Sequence, residues 1–250
     1  MKAAMTPRAA LRFALPLGLV VTAALIVGTL AFFAGPATAA ILSKSGQFAS
    51  TTVEYKVLLP PGYDSSKPHP VVLVFTGGAQ GIDAAENTLK ADWQAEAEQR
   101  GYVVISPAAP DGELFFQEGD KVFPAFLDMI RKDYKVTGKI HIAGHSNGGL
   151  SAFHIAAKYP QYFSTVTGYP GLYQDNPEAE YPAALKGLCL FMHAGDMDPE
   201  WRNAMTQEAK AMSAEGYRVQ LTVWPNSTHR LKAAQLGLSK RLFDEIESCR

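Results

Sequence analysis

Continuous apolar runs alternate along the chain with segments in which apolar residues recur every three or four positions. These runs predict strands at 53–59, 71–75, 102–105, 140–143, 165–167, 188–192 and 219–224. The helical spacing predicts helices over 82–97, 122–134, 150–159, 199–214 and 231–246. Strands that alternate with helices from residue 71 onward predict the α/β class, with a doubly wound, mostly parallel sheet and helices on both of its faces.

The N-terminal segment differs from the rest of the chain. Three basic residues precede an uncharged apolar stretch at 13–33, a Gly-Pro pair ends it, and small residues follow in an Ala-x-Ala arrangement. This pattern predicts a signal peptide at 1–39 and a single domain at 40–250. Residues 40–52 are expected to be the processed, polar start of that domain. Because signal-peptide apolar regions span about 7–15 residues, a retained N-terminal membrane anchor is the alternative. Either way, the domain is exported to the periplasm or the outside, or is anchored facing away from the cytoplasm.

Charge and cysteine content exclude few classes of partner and do not decide the state of the cysteines. The 23 basic and 24 acidic residues give a net charge of −1, which offers no argument for a nucleic-acid partner. A membrane would be a partner only through an uncleaved N-terminal anchor. Cys189 and Cys249 could pair in an oxidising compartment. Alternatively, Cys189 is a buried strand residue and Cys249 a free thiol, and the sequence leaves both possibilities open.

The run Gly-His-Ser-Asn-Gly at 144–148 follows the strand at 140–143 and precedes a helix. This is the strand–turn–helix context of a nucleophile elbow, in which Ser146 projects from the end of a sheet. Gly144 and Gly148 suit the turn because side chains there would collide with the strand or the helix. Gly-x-Ser-x-Gly alone arises by chance in roughly one chain in ten of this size, so the assignment of Ser146 as nucleophile needs partners.

Candidate partners follow later strands in the order Ser, Asp, His, which is the order of α/β-hydrolases. Asp196 and Asp198 come after the strand at 188–192, and His229 comes after the strand at 219–224. His229 is the predicted general base, and one of the two aspartates would orient it, while the other could cap the next helix. The backbone N–H groups of Asn147 and Gly78 are the predicted oxyanion hole.

Other residues on the presumed active edge have less certain roles. Four aromatic residues follow strands there and would either line a substrate pocket or pack elsewhere: Phe115, Phe116, Tyr169 and Tyr173. Four further histidines are interpreted as packing or supporting residues: His141, His145, His154 and His193. Because none of them lies in a His-Glu-x-x-His motif, we expect no metal and no cofactor.

The run Lys-Val-Thr-Gly-Lys-Ile-His-Ile-Ala-Gly-His-Ser-Asn-Gly-Gly at 135–149, with Ala-Ala-Lys-Tyr-Pro at 156–160, resembles the polyhydroxybutyrate depolymerase and feruloyl esterase (esterase D-like) group. The resemblance covers roughly residues 53–246. It implies a single α/β-hydrolase domain that cleaves carboxylic esters with a serine triad. In that group the acid usually stands three residues after a glycine, which favours Asp198. The group commonly has His-Gly at the oxyanion loop, where this chain has Thr76 and Gly77, so the anchoring of that loop is open.

The sequence therefore predicts an exported serine hydrolase acting on a small-molecule or polymer-end ester. A peptidase or acyltransferase with the same triad is the alternative within enzymes, and a noncatalytic hydrolase-fold binding protein is the alternative outside them. The glycine-rich run at 75–82 also resembles the nucleotide loop of short-chain dehydrogenases. Its Tyr-x-x-x-Lys lies upstream, at 63–67, and Asp83 would repel a pyrophosphate, so we reject hydride transfer.

Overall fold

A computed structural model describes residues 38–173, 180–232 and 237–249 of the chain. Eight strands form one sheet in the order β1-β2-β4-β3-β5-β6-β7-β8, and every pairing from β4 to β8 is parallel. Their bounds are β1 Ala40–Phe48, β2 Thr51–Leu59, β3 Val71–Phe75, β4 Val103–Pro107, β5 Ile140–Gly144, β6 Phe163–Gly168, β7 Cys189–Gly195 and β8 Arg218–Trp224. The predicted mostly parallel sheet is thus confirmed.

Helices cover both faces of the sheet, as the pattern predicts. The described α-helices are α1 Ile82–Thr88, α2 Gln94–Arg100, α3 Ala125–Asp133, α4 Asn147–Lys158, α5 Pro199–Ala214 and α6 Leu238–Ser248. Alternate residues of β3 show the two layers: Leu73 packs in the core with α3, α4 and α5, whereas Val72 packs in the core with α2 and α6. Within the described ranges, four short 3-10 helices lie in the connections, at Pro110–Gly112, Glu118–Val122, Pro160–Tyr162 and Ala183–Gly187.

The sequence predicts only a processed, polar start at 40–52 and misses the strand that lies there. Residues Ala40–Phe48 form β1, an edge strand that pairs antiparallel with β2 along its full length. Most of its side chains are exposed or half-buried, so no apolar alternation marks it. The sequence of the turn between β1 and β2 also gives no sign of a hairpin. Ala49 and Ser50 have φ of 47° and 68°, a two-residue arrangement with positive φ at both positions that usually takes Asn-Gly.

The helix predicted over 82–97 exists but is interrupted. A π-helical turn at Leu89–Trp93 separates α1 from α2 and buries Leu89, Asp92 and Trp93. A π-turn inserts an extra residue into the helical repeat and often marks a functional site. Here it directs a carboxylate and an indole together towards the interior.

The two cysteines form a disulfide that ties the end of α6 to the start of β7, with a Cα–Cα distance of 6.2 Å between Cys189 and Cys249. Apart from its last two residues, the predicted signal peptide or anchor at 1–39 lies outside the described residues. In the described part of the chain, none of the helices is sufficiently long and apolar to cross a membrane.

Candidate active site

Ser146 stands at the sharp turn between β5 and α4. Its φ of 57° and ψ of −123° are strained for a residue with a side chain, as a nucleophile elbow requires. A Cβ on Gly144 would meet the carbonyl of Gly148, and a Cβ on Gly148 would meet the carbonyl of Phe75. The Ser146 N–H donates to the carbonyl of Pro170 at 2.8 Å, which holds the turn against the end of β6.

The structure brings Ser146, His229 and Asp198 together in one hydrogen-bonded chain. The Nε2 atom of His229 lies 2.8 Å from Ser146 Oγ, and its Nδ1 atom lies 2.7 Å from Asp198 Oδ2. These distances fit a tautomer in which Nδ1–H donates to the carboxylate and Nε2 accepts from the serine hydroxyl. The three residues come from the ends of β5, β7 and β8, so the edge of the parallel sheet assembles them.

Asp196 and Asp198 have separate positions in the β7–α5 loop. The Oδ1 atom of Asp196 accepts the N–H of Ser227 at 3.0 Å, and this backbone hydrogen bond is the main cause that lowers the pKa of Asp196. The expectation that the second aspartate caps the next helix is wrong. It is Asp198 that occupies the N-cap position of α5, and its side chain makes no cap hydrogen bond there. Asp196 instead anchors the loop that carries His229.

The predicted oxyanion loop packs directly on the elbow. The side chain Nδ2 of Asn147 donates to the carbonyl of Gly78 at 2.9 Å, and a Cβ on Gly77 would collide with the His145 ring. The Asn147 N–H belongs to the first turn of α4, whose amides have no acceptor within the helix. Asn147 and Gly78, the two residues predicted to form the oxyanion hole, are therefore adjacent.

The Thr76 hydroxyl accounts for the anchoring that the sequence leaves open. Thr76 is buried, and its Oγ1 lies 2.9 Å from the hydroxyl of Thr88 and 3.3 Å from the carbonyl of Ala84. Gln80, fully buried with φ of 53°, donates to Ser151 Oγ on α4 at 2.8 Å. Hydrogen bonds from both ends thus fix the loop at 76–80 in place without a histidine.

The sequence gives no sign of the ion pair that fixes the loop carrying His229. Arg230 makes two hydrogen bonds to the buried carboxylate of Asp92, at 2.9 and 3.1 Å. Tyr169 lies against this pair and accepts the indole N–H of Trp93 at 2.9 Å. Burial raises the pKa of Asp92, while the Arg230 guanidinium lowers it. No local motif signals this pair, because 138 positions separate its two members along the chain.

A cavity of about 430 Å³ lies beside the triad. Apolar and aromatic side chains line it together with the polar side chains of His154 and Glu200; the lining residues are Phe116, Leu150, His154, Leu172, Tyr173, Glu200, Trp201 and Ala204. No triad side chain lines it, but the ring centroid of Trp201 is 5.1 Å from that of His229, which places the cavity next to the triad. Of the four aromatic candidates, Phe116 and Tyr173 line the cavity, whereas Phe115 and Tyr169 are fully buried in the core.

The remaining histidines make supporting contacts. His193 is buried between Glu245 and the indole of Trp224, and His141 lies within hydrogen-bond distance of two hydroxyl groups. His145 is the neighbour of the nucleophile, and burial, followed by the charge of Arg230, lowers its pKa to about 4. A neutral His145 adds no positive charge beside His229. Among the described residues, no group of three or more His, Cys, Asp or Glu side chains could hold a metal ion.

The model of the Dienelactone hydrolase family matches residues 111–237, which is just over half of the chain and spans Ser146, Asp198 and His229. The chain belongs to the dienelactone hydrolase family. This membership makes the protein a hydrolase of the α/β-hydrolase class and agrees with the resemblance to the feruloyl esterase and esterase D-like group. In this dienelactone hydrolase family member, Ser146, His229 and Asp198 stand where the sequence predicts a triad, and their catalytic roles stay predictions.

Similar proteins include both esterases and a peptidase. Dipeptidyl-peptidase 5 from Porphyromonas gingivalis is 28% identical over 174 residues, which are 64% of this chain and 25% of that protein. The chain thus spans about a quarter of that relative's length. A ferulic acid esterase structure matches with a TM-score of 0.64 and 18% identity, covering 83% of this chain and 98% of that one. An S-formylglutathione hydrolase from Agrobacterium tumefaciens matches with a TM-score of 0.61 and 17% identity, covering 84% and 95%.

Proposed function

We propose that this protein is an exported serine hydrolase that cleaves carboxylic esters through an acyl-enzyme intermediate. The single observation that carries the proposal is the hydrogen-bonded chain from Ser146 Oγ through His229 to Asp198. A serine hydroxyl is a weak nucleophile until a general base is positioned to take its proton. In the proposal, His229 is that base.

In the proposed mechanism, Ser146 Oγ attacks the ester carbonyl carbon while its proton passes to Nε2 of His229. The Asp198 carboxylate stabilises the imidazolium through the hydrogen bond to Nδ1. The N–H groups of Asn147 and Gly78 bind the oxyanion, and each such donor is typically worth about 3–4 kcal/mol in the transition state. The C–O bond then breaks, and the alcohol leaves with the proton from Nε2. Water attacks the acyl-enzyme by the same route, releasing the acid and restoring Ser146.

The cavity beside the triad supports an ester substrate because it has room for one of the two groups that the ester joins. Its volume of about 430 Å³ lies within the range of small-molecule sites, about 300–1,000 Å³. Phe116, Tyr173 and Trp201 are aromatic residues in its lining. A peptidase is the second candidate, because the curated relative is named a dipeptidyl-peptidase. That relative is about four times as long as the matched segment, so its activity depends on parts that this match does not cover.

Two independent features support export. The charge and hydropathy of residues 1–39 match a signal peptide or anchor. The Cys189–Cys249 disulfide favours an oxidising compartment, where such bonds persist.

Matched substrates distinguish an esterase from a peptidase. We would measure kcat/KM for p-nitrophenyl esters of graded acyl length and for p-nitroanilides with the same acyl groups. The proposal predicts hydrolysis of the esters by wild type, loss of this activity in Ser146→Ala, and much slower hydrolysis of every anilide. Faster turnover of the anilides would favour the peptidase. A folded wild type that hydrolyses neither series would contradict the proposed function.

A further inference from the structure

We propose that the cavity beside the triad receives a positively charged group, so that the preferred substrates are esters with an ammonium or similar cation. This inference rests on the proposed ester hydrolysis and adds the substrate class. It combines two features of the same cavity: aromatic lining residues and an exposed carboxylate.

The aromatic walls are the first feature. Phe116, Tyr173 and Trp201 line the cavity, and each is half-buried. Aromatic ring faces attract cations within about 6 Å, and Trp is the strongest of the three. Since the Trp201 ring lies 5.1 Å from the His229 ring, a group held there is close enough to belong to a substrate bound at Ser146.

The carboxylate of Glu200 is the second feature. Glu200 lines the cavity next to Trp201 and is exposed. Among the residues that the structure describes, Glu200 makes no hydrogen bond or ion pair, in contrast to Glu208 and Glu245 in the core. Its negative charge therefore has no partner in the described part of the chain, and its side chain lines the space where a substrate group would lie.

The charges near the cavity also favour a cation. His154, on the cavity wall, lies 2.8 Å from Asp120, and Lys158 lies 2.6 Å from the same carboxylate. After the hydrogen bond to Asp120, which is the main cause, the charge of Glu118 also raises the pKa of Lys158. Within the described residues, the carboxylate of Asp120 is thus paired with His154 and Lys158, whereas the carboxylate of Glu200 on the cavity lining has no such cation. Glu200 would repel an anionic substrate group in the cavity and attract a cationic one.

Glu200 also has a structural use, because a carboxylate in the first turn of α5 stabilises the helix macrodipole. A helix role affects the thermal midpoint and leaves the selectivity between charged and uncharged substrates unchanged. The experiment therefore compares substrates within each variant.

The decisive measurement is kcat/KM on two isosteric ester pairs that differ only in charge. The first pair carries the charge on the alcohol: acetylcholine against 3,3-dimethylbutyl acetate. The second carries it on the acyl group: the p-nitrophenyl esters of 4-(trimethylammonio)butanoate and 5,5-dimethylhexanoate. We expect wild type to favour the cation by about fivefold to tenfold in at least one pair, and 0.5 M NaCl to reduce the preference. Glu200→Gln should remove most of it, while Glu215→Gln, an exposed carboxylate at the other end of α5, should keep it.

Equal or better hydrolysis of the neutral ester in both pairs would overturn the proposal, as would a preference that Glu200→Gln leaves unchanged. If the protein hydrolyses no ester, the proposed function fails separately, and the cation site is then judged by calorimetry with phenyltrimethylammonium. Binding by wild type that is lost in Glu200→Gln supports the site, and absence of binding by folded wild type refutes it.

Discussion

Arg230, the residue directly after His229, forms a two-point ion pair with Asp92, with N–O distances of 2.9 and 3.1 Å. Asp92 lies in the π-helical turn at Leu89–Trp93, and its side chain is only 2% exposed. The planar guanidinium matches both carboxylate oxygens, which fixes direction as well as distance. The loop that presents the proposed general base is thus tied to the helical layer on the face of the sheet that also holds α6.

Arg230→Gln should destabilise the fold by about 2–3 kcal/mol, because it leaves the Asp92 carboxylate buried without its cation. We expect less than the full cost of breaking a buried pair, since 44% of the Arg230 side chain is exposed. Urea unfolding of wild type and variant measures the difference. In the Asp92→Asn and Arg230→Gln double variant, much of the lost stability should return, because both charges are then absent.

The same variant should show a distinctive pH dependence. Burial raises the pKa of Asp92 and Arg230 lowers it, so removal of Arg230 raises it further. The folded variant then holds a proton at pH values where the unfolded chain has released it. Its stability deficit should therefore be smallest in acid and grow as the pH rises through the folded pKa. A deficit that stays constant between pH 4 and 8 would contradict this account of the pair.

Asp198→Asn should lower kcat by about 10³- to 10⁴-fold, because an amide in this position favours the wrong His229 tautomer. Asp196→Asn should lower kcat less than about tenfold, since an amide oxygen can still accept the Ser227 N–H. Steady-state kinetics of the two variants on one p-nitrophenyl ester checks the contrast. A larger loss for Asp196→Asn would reverse the assignment of the acid.

The sequence predicts the parallel sheet and the triad candidates because each depends on a local signal. Apolar runs mark the covered strands, and strand ends mark where Ser146, Asp198 and His229 meet. The edge strand β1 gives no such signal, since its side chains are mostly exposed and its turn residues, Ala49 and Ser50, are atypical of a tight hairpin. The other edge strand, β8, is predicted correctly at 219–224, so the missing signal is particular to β1 and its turn.

The supporting contacts of the site are not predictable in this way. Asp92 and Arg230 lie 138 positions apart, and Gln80 and Ser151 lie 71 apart, so only the fold brings them together. The aromatic candidates show the same limit. Phe115 and Phe116 are adjacent, yet one is fully buried in the core and the other lines the cavity. Which of them faces the site depends on the conformation of the loop after β4.

Two histidines should make the fold sensitive to acid. Burial lowers the pKa of His141 and of His145 to about 4, below their ordinary value of 6.5. Between these values the unfolded chain binds protons that the folded chain excludes, so stability falls as the pH drops from about 6.5 to about 4. Each imidazole contributes at most about 1.4 kcal/mol per pH unit. Urea unfolding across this range should show a shallower slope for His141→Gln than for wild type, and equal slopes would contradict the prediction.

Loss of the disulfide should lower the thermal midpoint without abolishing the fold. The bond closes a segment with a sequence separation of 60, and disulfides typically contribute about 2–4 kcal/mol. In a domain of this size that corresponds to a decrease of roughly 4–16 °C. Thermal unfolding of Cys249→Ser, and of wild type with and without reductant, measures it. An unchanged midpoint in protein whose thiols are shown to be free would contradict the prediction.

Covalent labelling of Ser146 tests the central claim, that Ser146 is a nucleophile activated by His229. Wild type is treated with a fluorophosphonate, and the modified peptide is mapped by mass spectrometry. The account predicts one adduct, on Ser146, which Ser146→Ala abolishes and His229→Gln slows strongly. Folded wild type that stays unlabelled, or that carries the adduct on another serine such as Ser151, would contradict it.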